Sequence, residues 1–205
     1  MSMSMSKVNN ATQATDYRFL NMFELDVTLK DGSPSKWLMA SRARNVHQLA
    51  ERFRERCGPD AVAIAGIYYD NGTYYLTLIR QYRYPIDDYL YELPAGLTER
   101  GESLEDTAKR ELKEETGLEL LVTEVTPPFF SSAGMTDESC AIVYGACLGE
   151  PSLKGQERAE DIEVIFADAE ECKRILRDEN VCMRTAMVIR QFLMCKWTTA
   201  IKEKE

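Results

Sequence analysis

The sequence holds a single histidine, His47, and none of its six cysteines (Cys57, Cys140, Cys147, Cys172, Cys182 and Cys195) forms a CxxC pair. A zinc site of the Cys/His type therefore has no local ligand cluster. A Ser-His-Asp triad could draw only on His47. Scattered cysteines with no export signal read as reduced, mostly buried thiols, so the expected location is cytoplasmic. Long apolar runs are missing as well: Ala61-Val-Ala-Ile-Ala-Gly-Ile67 is far too short to span a bilayer. Met1 to Asn10 opens on alternating Met and Ser, lacks the apolar core of a signal peptide, and reads as a frayed start. Positive charge is not in excess either. With 34 Asp+Glu against 25 Lys+Arg and a net charge of −9, the chain is a poor coat for nucleic acid or an anionic membrane. If its ligand is an anion, something other than bulk charge must neutralise it.

What is present is an ordinary globular composition, 205 residues of which 44% are hydrophobic. That length suits one domain with a small appendage and buries a core without disulfides or a structural metal. Residues 17–44 read as extended: Phe23–Leu29 alternates apolar and polar, Asp31-Gly-Ser-Pro34 is turn chemistry, and Lys36–Met39 resumes a strand, so a β-hairpin is expected. Val46, Leu49, Ala50 and Phe53 recur at helical spacing until Gly58-Pro59, and His47, off that stripe, reads as a surface residue. Ala61–Tyr68 and Thr73–Gln81 flank Asn71-Gly72, a strong hairpin signal. Further strands are expected at Leu90–Leu93, Leu120–Val125, Ser139–Leu148 and Ile162–Phe166, with helices over about Ser103–Thr116 and Met183–Thr199. Strands interleaved with helices point to an α/β or α+β sandwich with a mixed sheet.

The segment from Gly96 to Leu118 carries the chemistry. Glu111, Glu114 and Glu115 stand at i, i+3 and i+4, on one helical face, beside an apolar stripe of Leu104, Ala108 and Leu112. Three carboxylates near a helix C-terminus repel one another and oppose the dipole unless cations join them. Hard oxygen donors at this density suit magnesium or manganese. Spacing alone leaves two readings open, a solvated acidic face or a metal site. Interleaved Arg110 and Lys113, and the loop Leu93-Pro-Ala-Gly96 with its backbone carbonyls, weigh against the plain acidic face.

Gly96, Glu102, Arg110, Glu111, Leu112, Glu114, Glu115, Gly117 and Leu118 match every specified position of the Nudix box, Gly-x5-Glu-x7-Arg-Glu-U-x-Glu-Glu-x-Gly-U with U aliphatic. The chain thus resembles the Nudix hydrolases, which implies an α/β/α sandwich that cleaves nucleoside diphosphates linked to another moiety, using Mg2+ or Mn2+. The resemblance makes Glu111 and Glu115 the principal metal ligands with Glu114 assisting, the Ala95 carbonyl a backbone ligand, Arg110 the residue that orients the carboxylates, and Glu102 a loop or further metal residue. The flanks, Ile79-Arg-Gln-Tyr-Arg83 and Tyr91-Glu-Leu-Pro-Ala-Gly96, resemble the ADP-ribose pyrophosphatase branch. That likeness implies a phosphate contact for Arg83, a substrate loop at Gly134-Met-Thr-Asp-Glu138, and a base-stacking role for Trp37. It also implies that residues 1–59 form an extension through which a homodimer assembles, ahead of a catalytic domain over 60–205. The general base is expected in Gly155–Ile162, at Glu160 or Glu157. One position departs: Ala133 stands where the branch has proline. The expected reaction is hydrolysis of ADP-ribose, or a related nucleoside diphosphate sugar, to AMP and ribose 5-phosphate. The alternatives are a pyrophosphatase for UDP-sugars or oxidised nucleoside diphosphates, and a non-catalytic nucleotide sensor.

Overall fold

A computed structural model describes residues 6–55, 58–152 and 161–194. In chain order the first elements are β1 (Lys7–Gln13), β2 (Asn21–Thr28), β3 (Pro34–Ser41), α1 (Val46–Glu55), β4 (Ala61–Asp70), β5 (Thr73–Arg83), a 3-10 turn (Tyr84–Ile86), β6 (Asp88–Glu92) and β7 (Ala95–Leu97). They are followed by α2 (Leu104–Thr116), β8 (Glu119–Val125), β9 (Phe129–Phe130), β10 (Ser139–Leu148), β11 (Ile162–Ala167), α3 (Ala169–Asp178) and α4 (Met183–Met194). The fold is mixed α+β. It divides into two compact units, one of Met1–Asp60 with Pro128–Cys140, the other of Ala61–Pro127 with Ala141–Glu205.

In the first unit β1, β2 and β3 form an antiparallel sheet in that order. The expected hairpin is there, Phe23 facing Met39 and Leu25 facing Trp37, but a third strand flanks it. Residues 7–10, expected to fray, belong to β1, which pairs with β2 through an irregularity between Val8 and Asn10. Lys7-Val-Asn-Asn-Ala-Thr-Gln carries almost no apolar alternation; its backbone pairing, rather than side-chain burial, makes it a strand. Phe23, Leu25, Met39, Ala43 and Leu49 close a small core between this sheet and α1. Under it, Arg52 donates to both Asp60 and Asp137, and Asp60 also accepts from the Ser139 N–H. Residues 128–140 thus return to the N-terminal unit, a long-range pairing with no local signal in the sequence.

The second unit is organised by β4, in a sheet of order β11-β5-β4-β10-β8 with β6 added to β5 and β7 to β4. Val62 and Ile64 point into one core, while Ala63, Ala65 and Ile67, alternating with them, are also buried. Both faces of this strand are covered, which is why its sequence reads as a continuous apolar run. α2 packs Ala108 and Leu112 onto Val62, Ile64, Leu118, Leu120 and Val143. Its ends are set locally. Ser103 Oγ accepts from the Asp106 N–H at 3.1 Å. Gly117, at φ +77°, donates to Lys113 O, and a side chain there would meet the Ser152 backbone nitrogen at 2.5 Å.

α3 is a helix beyond those expected from the sequence. Its fully buried residues are Cys172 and Ile175, and with Leu176 they stand at i, i+3 and i+4, a helical spacing that could have revealed it. Its start is also written in Asp168, whose carboxylate accepts from the Glu170 and Glu171 N–H groups. α4 begins at Met183 as expected; residues 195–199 of the expected helix lie outside the described residues. Cys140, Cys147 and Cys172 are buried free thiols and Cys182 is half-buried; Cys57 and Cys195 lie outside the described residues. Burial pushes the Cys147 thiol up to about 11 and that of Cys172 up to about 12, so both stay protonated and inert at neutral pH. Among the described residues no helix is long and apolar enough to cross a membrane.

Candidate active site

The acidic helix and the loop before it meet inside the second unit. β7 pairs with β4, Gly96 opposite Val62 and Ala95 opposite Ala63, which brings the loop under α2. At Gly96 the fit is close: a Cβ would lie 1.8 Å from the Glu111 carboxyl carbon. Only glycine lets that carboxylate rest against the strand. Glu115, only 4% exposed, accepts from the Ala95 N–H at 3.0 Å. Of Glu111, Glu114 and Glu115, the first and last are therefore drawn in beside Gly96 and Ala95, while the Glu114 side chain is 48% exposed.

Arg110 is the cation these groups share. It reaches Glu102 through two hydrogen bonds, at 3.0 and 3.1 Å, and donates to Glu111 at 2.8 Å, Glu114 at 3.1 Å and the Leu97 carbonyl at 3.1 Å. Its planar fork holds one carboxylate side-on and still reaches two others. With the Thr107 hydroxyl also donating, Arg110 holds the Glu102 carboxyl well below the usual carboxylate range, at about 2. Among the described residues no three Asp, Glu, His or Cys side chains stand close enough together to enclose a metal. The chemistry of the donors nonetheless fits a hard divalent cation: all are oxygens, and Gly96 leaves the space that Glu111 occupies.

Arg83, expected on substrate phosphate, ends β5 and donates to Glu92, a residue 4% exposed at the end of β6. Glu92 was not among the expected site residues, although it lies three positions before Ala95 in the quoted flank.

Trp37, Ala133, Gly134 and Glu138 belong to the first unit. Trp37 is 54% exposed and lines a cavity of about 860 Å³ with Leu25, Met39, Phe53, Phe130 and Ala133. The Asp137 carboxylate also lines it, and its Oδ1 is buried without a hydrogen-bond partner among the described residues. Glu138 accepts from Arg42 at 3.0 Å. Glu157 and Glu160 lie outside the described residues.

The NUDIX domain family model matches residues 59–183. The chain is 33% identical over 152 residues to an uncharacterized Nudix hydrolase of Schizosaccharomyces pombe, covering 69% of this chain and 74% of that one. It is 33% identical over 143 residues to an ADP-ribose pyrophosphatase of Bacillus subtilis, covering 67% and 74%. It is 29% identical over 147 residues to a methanol dehydrogenase activator of Bacillus methanolicus, covering 71% and 77%. The crystal structure of an ADP compounds hydrolase superposes with a TM-score of 0.67 over 94% of this chain and 96% of that one; at 18% identity the likeness is one of fold.

Proposed function

Since the chain belongs to the Nudix hydrolase family, whose members generally use divalent metal ions, we propose that it hydrolyses the pyrophosphate bond of ADP-ribose or a related nucleoside diphosphate sugar. The observation that carries this reading is the placement of Glu111 and Glu115 against Gly96 and Ala95, with Arg110 orienting the acids around them. Similarity to ADP-ribose pyrophosphatases supports the substrate class. Glu111 and Glu115, assisted by Glu114, Glu102 and the Ala95 carbonyl, would hold magnesium or manganese. The ion supplies neutralisation of the pyrophosphate charge and a lower pKa for water.

The residues divide the remaining work. Arg83 binds a phosphate oxygen of the substrate. Glu160, or its neighbour Glu157, accepts a proton from the attacking water. As the new P–O bond forms, the bridging P–O bond breaks and the second phosphate leaves, giving AMP and ribose 5-phosphate from ADP-ribose. Trp37 stacks on the base, and Gly134 and Glu138 contribute to the substrate loop. The protein assembles as a homodimer through residues 1–59, where Leu38 and Met22 are exposed on the sheet face opposite its small core. Ala133, in place of the branch's proline, leaves room for a related nucleoside diphosphate sugar beside ADP-ribose. A purely sensing role is disfavoured because every acidic position of the box is present.

The test is a panel of ADP-ribose, other ADP-sugars, UDP-sugars and oxidised nucleoside diphosphates, with release of nucleoside monophosphate measured in magnesium and in excess EDTA. Turnover of ADP-ribose or an ADP-sugar that EDTA abolishes is expected; no turnover of any member overturns the enzymatic reading. On the substrate that is turned over, Glu160→Gln should lower kcat by about 10²–10⁴-fold, the range for loss of a general base. Near-parent activity there, with the loss appearing in Glu157→Gln, would move the role to Glu157.

A further inference from the structure

Glu92 stands between two arginines, and only one of them is hydrogen-bonded to it. Arg83 donates to one carboxylate oxygen. Arg184, in the first turn of α4, brings its Nη2 to 3.9 Å from the other, close enough for charge attraction but too far for a hydrogen bond. Its Nε is buried and has no hydrogen-bond partner among the described residues. A buried guanidinium donor left without an acceptor costs stability and calls for an explanation. Nearby Arg174 shows the contrast: it is paired with Glu171 at 2.7 Å and Glu179 at 2.5 Å, and donates to the Tyr91 hydroxyl.

Arg184 is also held in place from both sides. The Tyr91 N–H donates to Asn180 O at 2.9 Å, and the Cys182 N–H donates to Tyr91 O at 3.1 Å. The Leu93 N–H donates to the Thr185 hydroxyl at 2.9 Å. The start of α4 is thereby fastened to the stretch Tyr91–Leu93, which leads directly into Ala95 and Gly96. Two guanidiniums thus face one carboxylate three positions before Ala95. One carboxylate cannot neutralise both, a pyrophosphate carries charge beyond what a metal neutralises, and guanidinium forks match phosphate oxygens in geometry.

We propose that Arg184 and Arg83 together form a seat for the substrate's diphosphate, with Glu92 as the carboxylate that sets the two guanidiniums side by side. This rests on the reading of the chain as a pyrophosphohydrolase and extends it by naming Arg184 as a substrate-binding residue. Arg184 accounts for binding rather than for the chemical step, so its loss should appear in affinity and KM.

The test compares the parent chain with Arg184→Gln and Arg184→Lys, titrating inorganic pyrophosphate calorimetrically in magnesium and measuring kcat and KM with ADP-ribose. Arg184→Gln should weaken pyrophosphate about tenfold and raise KM about tenfold, with kcat within about threefold, as expected for one lost charge-assisted contact. Arg184→Lys, which keeps the charge and loses the fork, should weaken pyrophosphate about threefold. Parent-like pyrophosphate binding by folded Arg184→Gln overturns the proposal, including the case where only its unfolding midpoint drops. If Arg184→Gln does not fold, parent-like binding by Arg184→Lys overturns it. Should the parent bind pyrophosphate but not turn over ADP-ribose, the substrate reading fails while the titration still decides the seat.

Discussion

Glu115→Gln is expected to lower kcat at least a hundredfold, about 2.7 kcal/mol of barrier, while leaving the unfolding midpoint close to the parent's. The two effects separate because the side chain has two duties. Glu115 is buried and accepts from the Ala95 N–H at 3.0 Å. The glutamine carbonyl oxygen can accept the same bond, so the loop and helix keep their junction. What glutamine lacks is the negative charge that a divalent cation requires of its ligand. Glu114→Gln should cost far less, because its side chain is 48% exposed and already engaged by Arg110. Steady-state kinetics in saturating magnesium, with thermal unfolding of each variant, makes the comparison. Equal losses in the two variants, or a collapse of stability in Glu115→Gln, would contradict the assignment of Glu115 as a principal ligand.

Arg52→Ala is expected to destabilise the first unit by about 3–5 kcal/mol, the usual consequence of removing one partner from buried ion pairs. Arg52 lies against Asp60 and Asp137, whose side chains are only 6% and 11% exposed. These carboxylates hold its proton more firmly than water would. Without the guanidinium, two carboxylates remain in a poorly solvated site, where the Ser139 N–H and the Ser41 hydroxyl, neutral donors, do not replace its charge. Arg52→Lys should recover only part of the loss, since an ammonium cannot engage both acids with a planar fork. Urea unfolding followed by Trp fluorescence in a Trp197→Phe background reports on this unit through Trp37, the other tryptophan. A loss below about 1 kcal/mol, the scale of exposed ion pairs, would show that the triad contributes little.

The box helix was legible in the sequence because its determinants are local. Ser103, the stripe Leu104–Ala108–Leu112, the three glutamates and Gly117 lie within one short stretch, and helical periodicity alone puts each on its face. The hairpin at Asn71-Gly72 was legible for the same reason. β1 was not, because its polar sequence becomes a strand only when β2 offers its backbone. α3 differs: its signals, the Asp168 cap and Cys172, Ile175 and Leu176 at helical spacing, are local and could have been read.

By itself, then, the sequence determined the family, the acidic helix and the residue types that a pyrophosphohydrolase needs. Tertiary structure alone decided which of these residues meet. Arg52 finds Asp137 across 85 positions, Thr185 finds Leu93 across 92, and residues 128–140 return to the N-terminal unit. Periodicity encodes a face of one helix or strand, but such pairings depend on the path of the whole chain. The same path sets Arg184 beside Glu92, where two arginines and one carboxylate flank the loop that ends at Gly96.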